Sequence, residues 1–190
     1  MNICILSGSA RPNNNTVRAG KALKKLIEPS HQVKLIDFVT YDLPMLGQAG
    51  MNPNDLSIFQ KELFQSMEEA HIVFILSPEY NWSTTPELLN LLNYLPNKPF
   101  QHLLNNKVFA FLGVSSGKGG KAPALHLMQI VNKIISFSNS ESMVSPKIFE
   151  THFIKEVIDE EGNLMQNEMF NAGITDFCNY TLRIADRWFK

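Results

Sequence analysis

The sequence is poor in cysteine, almost without net charge and free of long apolar runs. Each shortage excludes a class of protein. Cys4 and Cys178 are the only cysteines among 190 residues, and no CxxC pair or Cys/His spacing of a metal site occurs. A disulfide framework and a structural zinc are therefore not expected. Lys and Arg number 17 against 18 Asp and Glu, a net charge of -1. A nucleic-acid partner would want a strong basic excess, so none is expected. No apolar run approaches the ~18 residues that a membrane span needs, so no membrane partner is expected. The stretch Met1-Asn2-Ile3-Cys4-Ile5 has no basic region and no long apolar core of a secretory signal, which predicts a cytoplasmic protein. Two nucleotide signatures are also missing. There is no GxGxxG. The segment Gly113 to Lys118 fails as a P-loop, because three residues separate Gly113 from Gly117 and Gly119 follows the lysine in place of Ser or Thr.

What is present is a core and a regular alternation. Hydrophobic residues make up 44% of the chain, enough for one domain over residues 1–190. Fully apolar runs lie at 3–6, 72–76 and 108–114, and weaker strand patterns at 32–38 and 143–149. Between them run helical stripes: Val17 to Ile27, Leu56 to Met67, Leu88 to Leu95, Leu125 to Ile135 and Phe170 to Trp188. Thr85-Pro86 reads as an N-cap followed by proline at the first helical position.

Strict β-α alternation predicts an α/β fold: a parallel, doubly wound sheet of five strands with helices on both faces. Strands that are apolar throughout belong in the middle. The 32–38 strand is laced with charge and the 143–149 strand contains Pro146, so both are expected at edges. That gives the order 2-1-3-4-5, the flavodoxin-like arrangement, with its switch point between strands one and three. The loops leaving strands one, three and four should line one crevice.

Each of those loops has two readings. Gly8 to Thr16 carries Ser9, Arg11, Asn14, Asn15 and Thr16 at the start of a helix. It suits a terminal phosphate, or is an ordinary capped helix start with an exposed arginine. Ser77 to Pro86 carries Pro78, Glu79, Tyr80, Asn81 and Trp82. It suits a planar heteroaromatic ring with polar edges, or forms a rim of aromatics that covers the sheet end or a subunit contact. Ser115 to Lys121, with Ser115, Ser116 and Gly117 first, holds three glycines. It offers backbone N–H groups to a ligand, or is a surface turn. The coincidence of all three at one crevice favours the ligand readings.

The motifs Gly8-Ser9-Ala10-Arg11, Pro78-Glu79-Tyr80-Asn81 and Ser115 to Gly120, with the late turn Asp159 to Gly162 before a closing helix, resemble the NADPH-dependent FMN reductases. These are flavodoxin-like flavoproteins that include quinone, chromate and azo-dye reductases, and the resemblance covers nearly the whole chain. It implies FMN as cofactor and NADPH or NADH as donor. Ser9, Arg11 and the Asn14, Asn15, Thr16 group would bind the FMN phosphate. The backbone of Pro78, Glu79, Tyr80 and Asn81 would hold the ring edge, and Ser115, Ser116 and Gly117 would approach the ring from the other side. Asn14 stands where the family often has Ser. Thr85-Pro86 replaces the usual Pro-Gly, and Leu89 the usual Lys.

The resemblance further implies hydride transfer from NAD(P)H to the flavin N5, then electron transfer to a small-molecule acceptor in the same space. The flavin carries this chemistry, so no catalytic side chain is named. Tyr80 or Trp82 either stacks on substrate or packs. His126 reads as a structural helix residue, the two cysteines as core thiols, and Asp159-Glu160-Glu161 as a solvated turn rather than a metal site. Two other classes stay open: a flavodoxin-type FMN electron carrier, against which the small net charge counts, and a flavin-free binding domain on the same fold. Family resemblance and the apolar Leu88 to Leu95 helix, with Tyr94, Pro96 and Phe100, predict a homodimer or homotetramer.

Overall fold

The computed structural model describes residues 1–48 and 51–190. Its backbone runs β1 (Asn2–Ser7), α1 (Asn15–Ile27), β2 (Gln32–Asp37), α2 (Ile58–Glu69), β3 (Ile72–Pro78), α3 (Pro86–Tyr94), β4 (Val108–Val114), α4 (Lys121–Ser138), β5 (Met143–Val144), β6 (Phe149–Thr151), α5 (Ile154–Val157) and α6 (Glu168–Trp188). The sheet order is β2-β1-β3-β4-β5, with β6 also on β4. All strand pairings are parallel. The predicted order is therefore observed, with β1, β3 and β4 in the centre.

The central strands are apolar on both sides because each side has its own core. Cys4, Leu6, Val73, Ile75, Phe109 and Phe111 point to the layer of α2, α3 and α4. Ile3, Ile5, Ile72, Phe74, Leu76, Val108, Ala110 and Leu112 point to the layer of α1 and α6. Alternate residues along a strand face opposite ways, so one continuous apolar run supplies two cores.

The fifth strand differs from the expectation. In place of one strand over 143–149, two short ones pair with β4, at Val108↔Met143 and Phe109↔Val144 and again from Leu112↔Phe149. Between them the edge chain takes five steps while β4 takes three. Pro146 lies in this excursion. Proline has no N–H for the ladder, so the edge detaches there and rejoins at Phe149.

The leucine-rich helix also corrects its premise. Leu88, Leu91, Leu92 and Leu95 are buried within one chain, as are Tyr94 and Phe100. The 3-10 turn Phe100–Leu104 packs over this region. There Phe100 stacks on Phe64 with centroids 4.6 Å apart and meets Tyr94 edge-on at 6.3 Å. The apolar excess of α3 thus goes into the chain's own core and gives no ground for self-association.

Local caps are as the residues dictate. Thr85 accepts from Leu88 N–H ahead of Pro86, and Ser57 with Gln60 forms a capping box that starts α2. The Asp159 to Gly162 turn is tied to α1. Arg18 donates to Ile158 O at 3.0 Å, Lys21 to Glu160 O at 2.9 Å and Lys25 to Asn163 at 2.6 Å. Among the described residues no helix is long and apolar enough to cross a membrane.

Candidate functional site

Three loops leave β1, β3 and β4 at the same sheet end, and a cleft of about 240 Å³ lies between them. Nine of the residues singled out in the sequence line it: Ser9, Arg11, Asn14, Asn15, Thr16, Pro78, Glu79, Tyr80 and Ser116. Asn81, Ser115 and Gly117 are not in its lining, whereas Pro12, Asn13 and Val114 are.

The first loop is shaped by Asn14. Its side-chain oxygen accepts from Val17 N–H at 2.8 Å and so caps α1. Its amide nitrogen lies within reach of Ser9 O (3.3 Å), Arg11 O (3.1 Å) and Asp37 Oδ1 (3.2 Å). The sequence suggests Asn14 as a ligand donor, yet in the fold its amide is engaged by protein, so it sets the loop's shape. Thr16 does the reverse. Its side chain is fully buried, and among the described residues its hydroxyl has no hydrogen-bond partner. A buried hydroxyl left unpaired costs about 1–3 kcal/mol. Beside it are the first N–H groups of α1, which have no acceptor inside the helix. Ser9 is buried on the same cleft and Arg11 is exposed on it. This donor set fits the phosphate of FMN. Asp37, behind the cradle, has its carboxyl pushed above the usual range by burial, although hydrogen bonds from Asn14 and Val39 N–H pull the other way.

Tyr80 joins the second loop to the first. Its hydroxyl lies 3.3 Å from Ser9 Oγ, and the Arg11 guanidinium sits 4.2 Å from the ring centroid. Beyond it the chain makes a two-residue hairpin. Tyr80 and Ser83 exchange backbone hydrogen bonds, both 2.9 Å, around Asn81 and Trp82. The hairpin is anchored by Ser77 Oγ to Thr84 Oγ1 at 2.8 Å.

The third loop is held from two directions. The Glu79 carboxylate accepts the Gly120 N–H. His152 Nδ1 accepts the Gly119 N–H at 3.0 Å. His152 Nδ1 must therefore be unprotonated, which leaves the ring proton on Nε2, 3.6 Å from Glu150 Oε1. Gly120 has φ +98° and its carbonyl presses on Gly113, where an added Cβ would lie 1.6 Å from it. Sequence reasoning missed His152 and its neighbour Glu150, because they stand about thirty residues from the loop that His152 braces. Glu79 reads from the sequence as a backbone contact only.

His126 is exposed on α4, and Cys4 and Cys178 are buried, their thiols both pushed up to about 12 by burial. Among the described residues no group of three metal-ligating side chains comes together.

The profile of the family described as NADPH-dependent FMN reductase matches residues 1–147. A probable NADPH:quinone oxidoreductase 2 of Oryza sativa subsp. japonica is 29% identical over 173 residues, 89% of this chain and 81% of that protein. A quinone reductase of Escherichia coli (strain K12) is 23% identical over 176 residues, 93% of this chain and 88% of that one. Among solved structures, the flavoenzyme NAD(P)H:(acceptor) oxidoreductase FerB of Paracoccus denitrificans superposes with a TM-score of 0.75 at 20% identity, covering 97% of both chains. A flavodoxin from the domain Archaea gives 0.59 at 12% identity over the whole of both chains. With a flavodoxin-like sheet, a cradle that fits a phosphate and a profile match over most of its length, the chain belongs to the NADPH-dependent FMN reductase family, enzymes that use FMN and a nicotinamide donor.

Proposed function

We propose that this chain is an FMN-dependent NAD(P)H oxidoreductase, one FMN-binding domain over residues 1–190, that passes electrons to a quinone, a flavin or a similar small acceptor. The observation that carries this reading is the buried, unpartnered Thr16 hydroxyl at the start of α1. Among the described residues eight buried side-chain polar atoms lack a partner, and of these Thr16 Oγ1 alone belongs to a residue that lines the cleft, where a ligand oxygen would satisfy it. Bound FMN supplies the hydride and electron chemistry. The chain's own residues bind and orient. Ser9, Arg11, Asn15 and Thr16 would hold the phosphate, and Asn14 would hold the cradle in shape. The backbone of residues 78–81 would meet the ring edge, and residues 115–117 its far side. No side chain is assigned a proton-transfer role.

The names of the rice and Escherichia coli relatives favour a quinone as acceptor. A cytoplasmic location remains part of the proposal, as does a homodimer or homotetramer, which rests on the resemblance alone. A monomer by light scattering at micromolar concentration would remove the latter.

The test is the visible spectrum of the purified protein before and after anaerobic NADPH. Flavin bands that bleach support the reductase. Bands that persist point to the electron carrier, for which the likeness to an archaeal flavodoxin speaks. No flavin after incubation with excess FMN overturns both.

A further inference from the structure

Trp82 is held where a tryptophan is least at ease. It is the second central residue of the Tyr80–Ser83 hairpin, with φ +63°, after Asn81 at +49°. Two such left-handed residues make the turn that asparagine-glycine usually fills. A bulky side chain at the glycine position strains the backbone. Burial gives nothing back, because Trp82 is 82% exposed. The turn cannot relax around it either. Thr84 is locked to Ser77, and Thr85 Oγ1 donates to Gly8 O at 2.7 Å. Folding thus gives no reason for an indole here, and such strain characteristically gathers at ligand clamps.

The neighbouring aromatic is already engaged. Tyr80, on the cleft wall two residues earlier, has its hydroxyl at Ser9 and a ring face covered by Arg11. The indole is the aromatic surface of this loop that stays open to solvent. No Lys or Arg occurs from residue 77 to 97, so the loop's own residues supply no cation, and Arg11 of the first loop is engaged on Tyr80. That suits an uncharged planar ring better than a dinucleotide phosphate.

We propose that Trp82, two residues beyond the cleft-lining Tyr80 though not itself in the lining, is a specificity-determining residue that stacks on a planar aromatic acceptor of the quinone class. The proposal rests on the oxidoreductase reading above. In the FMN-loaded protein, Trp82→Gly lowers the ratio of kcat/KM for 1,4-naphthoquinone to that for ferricyanide, which has no ring to stack. The expected fall is about threefold to tenfold, the usual worth of an aromatic pair. Trp82→Phe recovers most of the loss, and the KM for NADPH does not follow. Because glycine suits the backbone, Trp82→Gly melts no lower than the native protein. A second readout needs no turnover: with Trp188→Phe as background, naphthoquinone quenches Trp82 fluorescence saturably. An unchanged acceptor ratio, a rise confined to the KM for NADPH, a lowered melting temperature, or quenching no stronger than that of Trp188 in Trp82→Gly would each overturn the assignment. A protein that neither binds FMN nor oxidises NADPH overturns the oxidoreductase reading instead, and the fluorescence titration still decides Trp82.

Discussion

Thr85 Oγ1 donates a 2.7 Å hydrogen bond to the carbonyl of Gly8, across 77 positions of sequence. The same oxygen receives the Leu88 N–H at 3.4 Å and caps α3. One buried hydroxyl therefore fastens the loop after β1 to the helix that follows the aromatic loop. The contact is tight on both sides, since a Cβ on Gly8 would lie 2.2 Å from the Leu88 side chain.

Thr85→Val keeps the shape and removes both bonds. Loss of the cap and of a buried partner for Gly8 O should cost about 1–3 kcal/mol of stability, read as a lowered urea midpoint. FMN affinity should fall with it. Thr85→Ser should restore most of both. If the valine variant is as stable as the native protein, the junction is not held this way.

Thr16→Val should behave in the opposite way without ligand. Among the described residues the native hydroxyl has no partner to lose, so the FMN-free variant should be as stable as the native protein or more so. With FMN the order should reverse. A hydrogen bond to a charged group is worth about 1.5–3 kcal/mol, so the FMN Kd should rise roughly tenfold or more. Melting curves with and without FMN decide this. A variant that binds FMN as tightly as the native protein would remove Thr16 from the cradle.

How much of this was legible in the sequence depends on how local each signal is. Uninterrupted apolar runs placed β1, β3 and β4 in the middle, and Thr85-Pro86 marked the start of α3, because burial and capping act on adjacent residues. Pro146 was legible as an edge residue, but not as a break that splits the strand in two. The three loops were legible as lining one crevice, because strand order decides where loops emerge. The partners within them were not. Nothing local says that Asn14 is consumed by its own loop and Asp37 while Thr16 is left unpaired. Nor does it say that His152 reaches Gly119. The leucines of α3 suggested a subunit contact because composition does not show what covers a helix. Here the leucines enter the core shared with α2 and α4, and Asn90 and Tyr94 of the same helix donate to the 41–44 segment.

The buried thiols and one buried amine give the alkaline limb of stability. Burial pushes Cys4 and Cys178 up to about 12, against about 8.5 in an unfolded chain. Above that pH the unfolded state releases protons that the native state keeps, so stability falls as pH rises. Lys107 runs the other way. It donates to Ala70 O at 2.8 Å and Glu68 O at 3.2 Å, and burial pulls its amine down to about 8. The unfolded lysine stays protonated to about 10.4, so this group raises stability between those values. Urea midpoints at pH 8, 9 and 10 should fall for the native protein. They should fall more steeply in Lys107→Met and less steeply in Cys178→Ala. Both thiols should ignore Ellman's reagent at pH 8 until the chain is unfolded. Prompt reaction of the native protein would contradict their burial.

Gly119 tests the clamp between the second and third loops. Its φ is +151°, and an added Cβ would lie 2.6 Å from Glu79 Oε1. That carboxylate takes the Gly120 N–H through its other oxygen. Gly119→Ala therefore strains the backbone and pushes Glu79 off its partner, leaving Gly120 N–H unpaired beneath the cleft. A loss of about 1–3 kcal/mol follows from the stranded donor, and the loop that carries Ser116 shifts. Glu79→Gln tells the two effects apart. The amide oxygen can still accept from Gly120 but carries no charge, so this variant should keep most of its stability and FMN affinity. Glu79→Ala should resemble Gly119→Ala in both. If Glu79→Gln loses as much as Glu79→Ala, the carboxylate acts through its charge on the ligand, and the clamp between the loops is not its role.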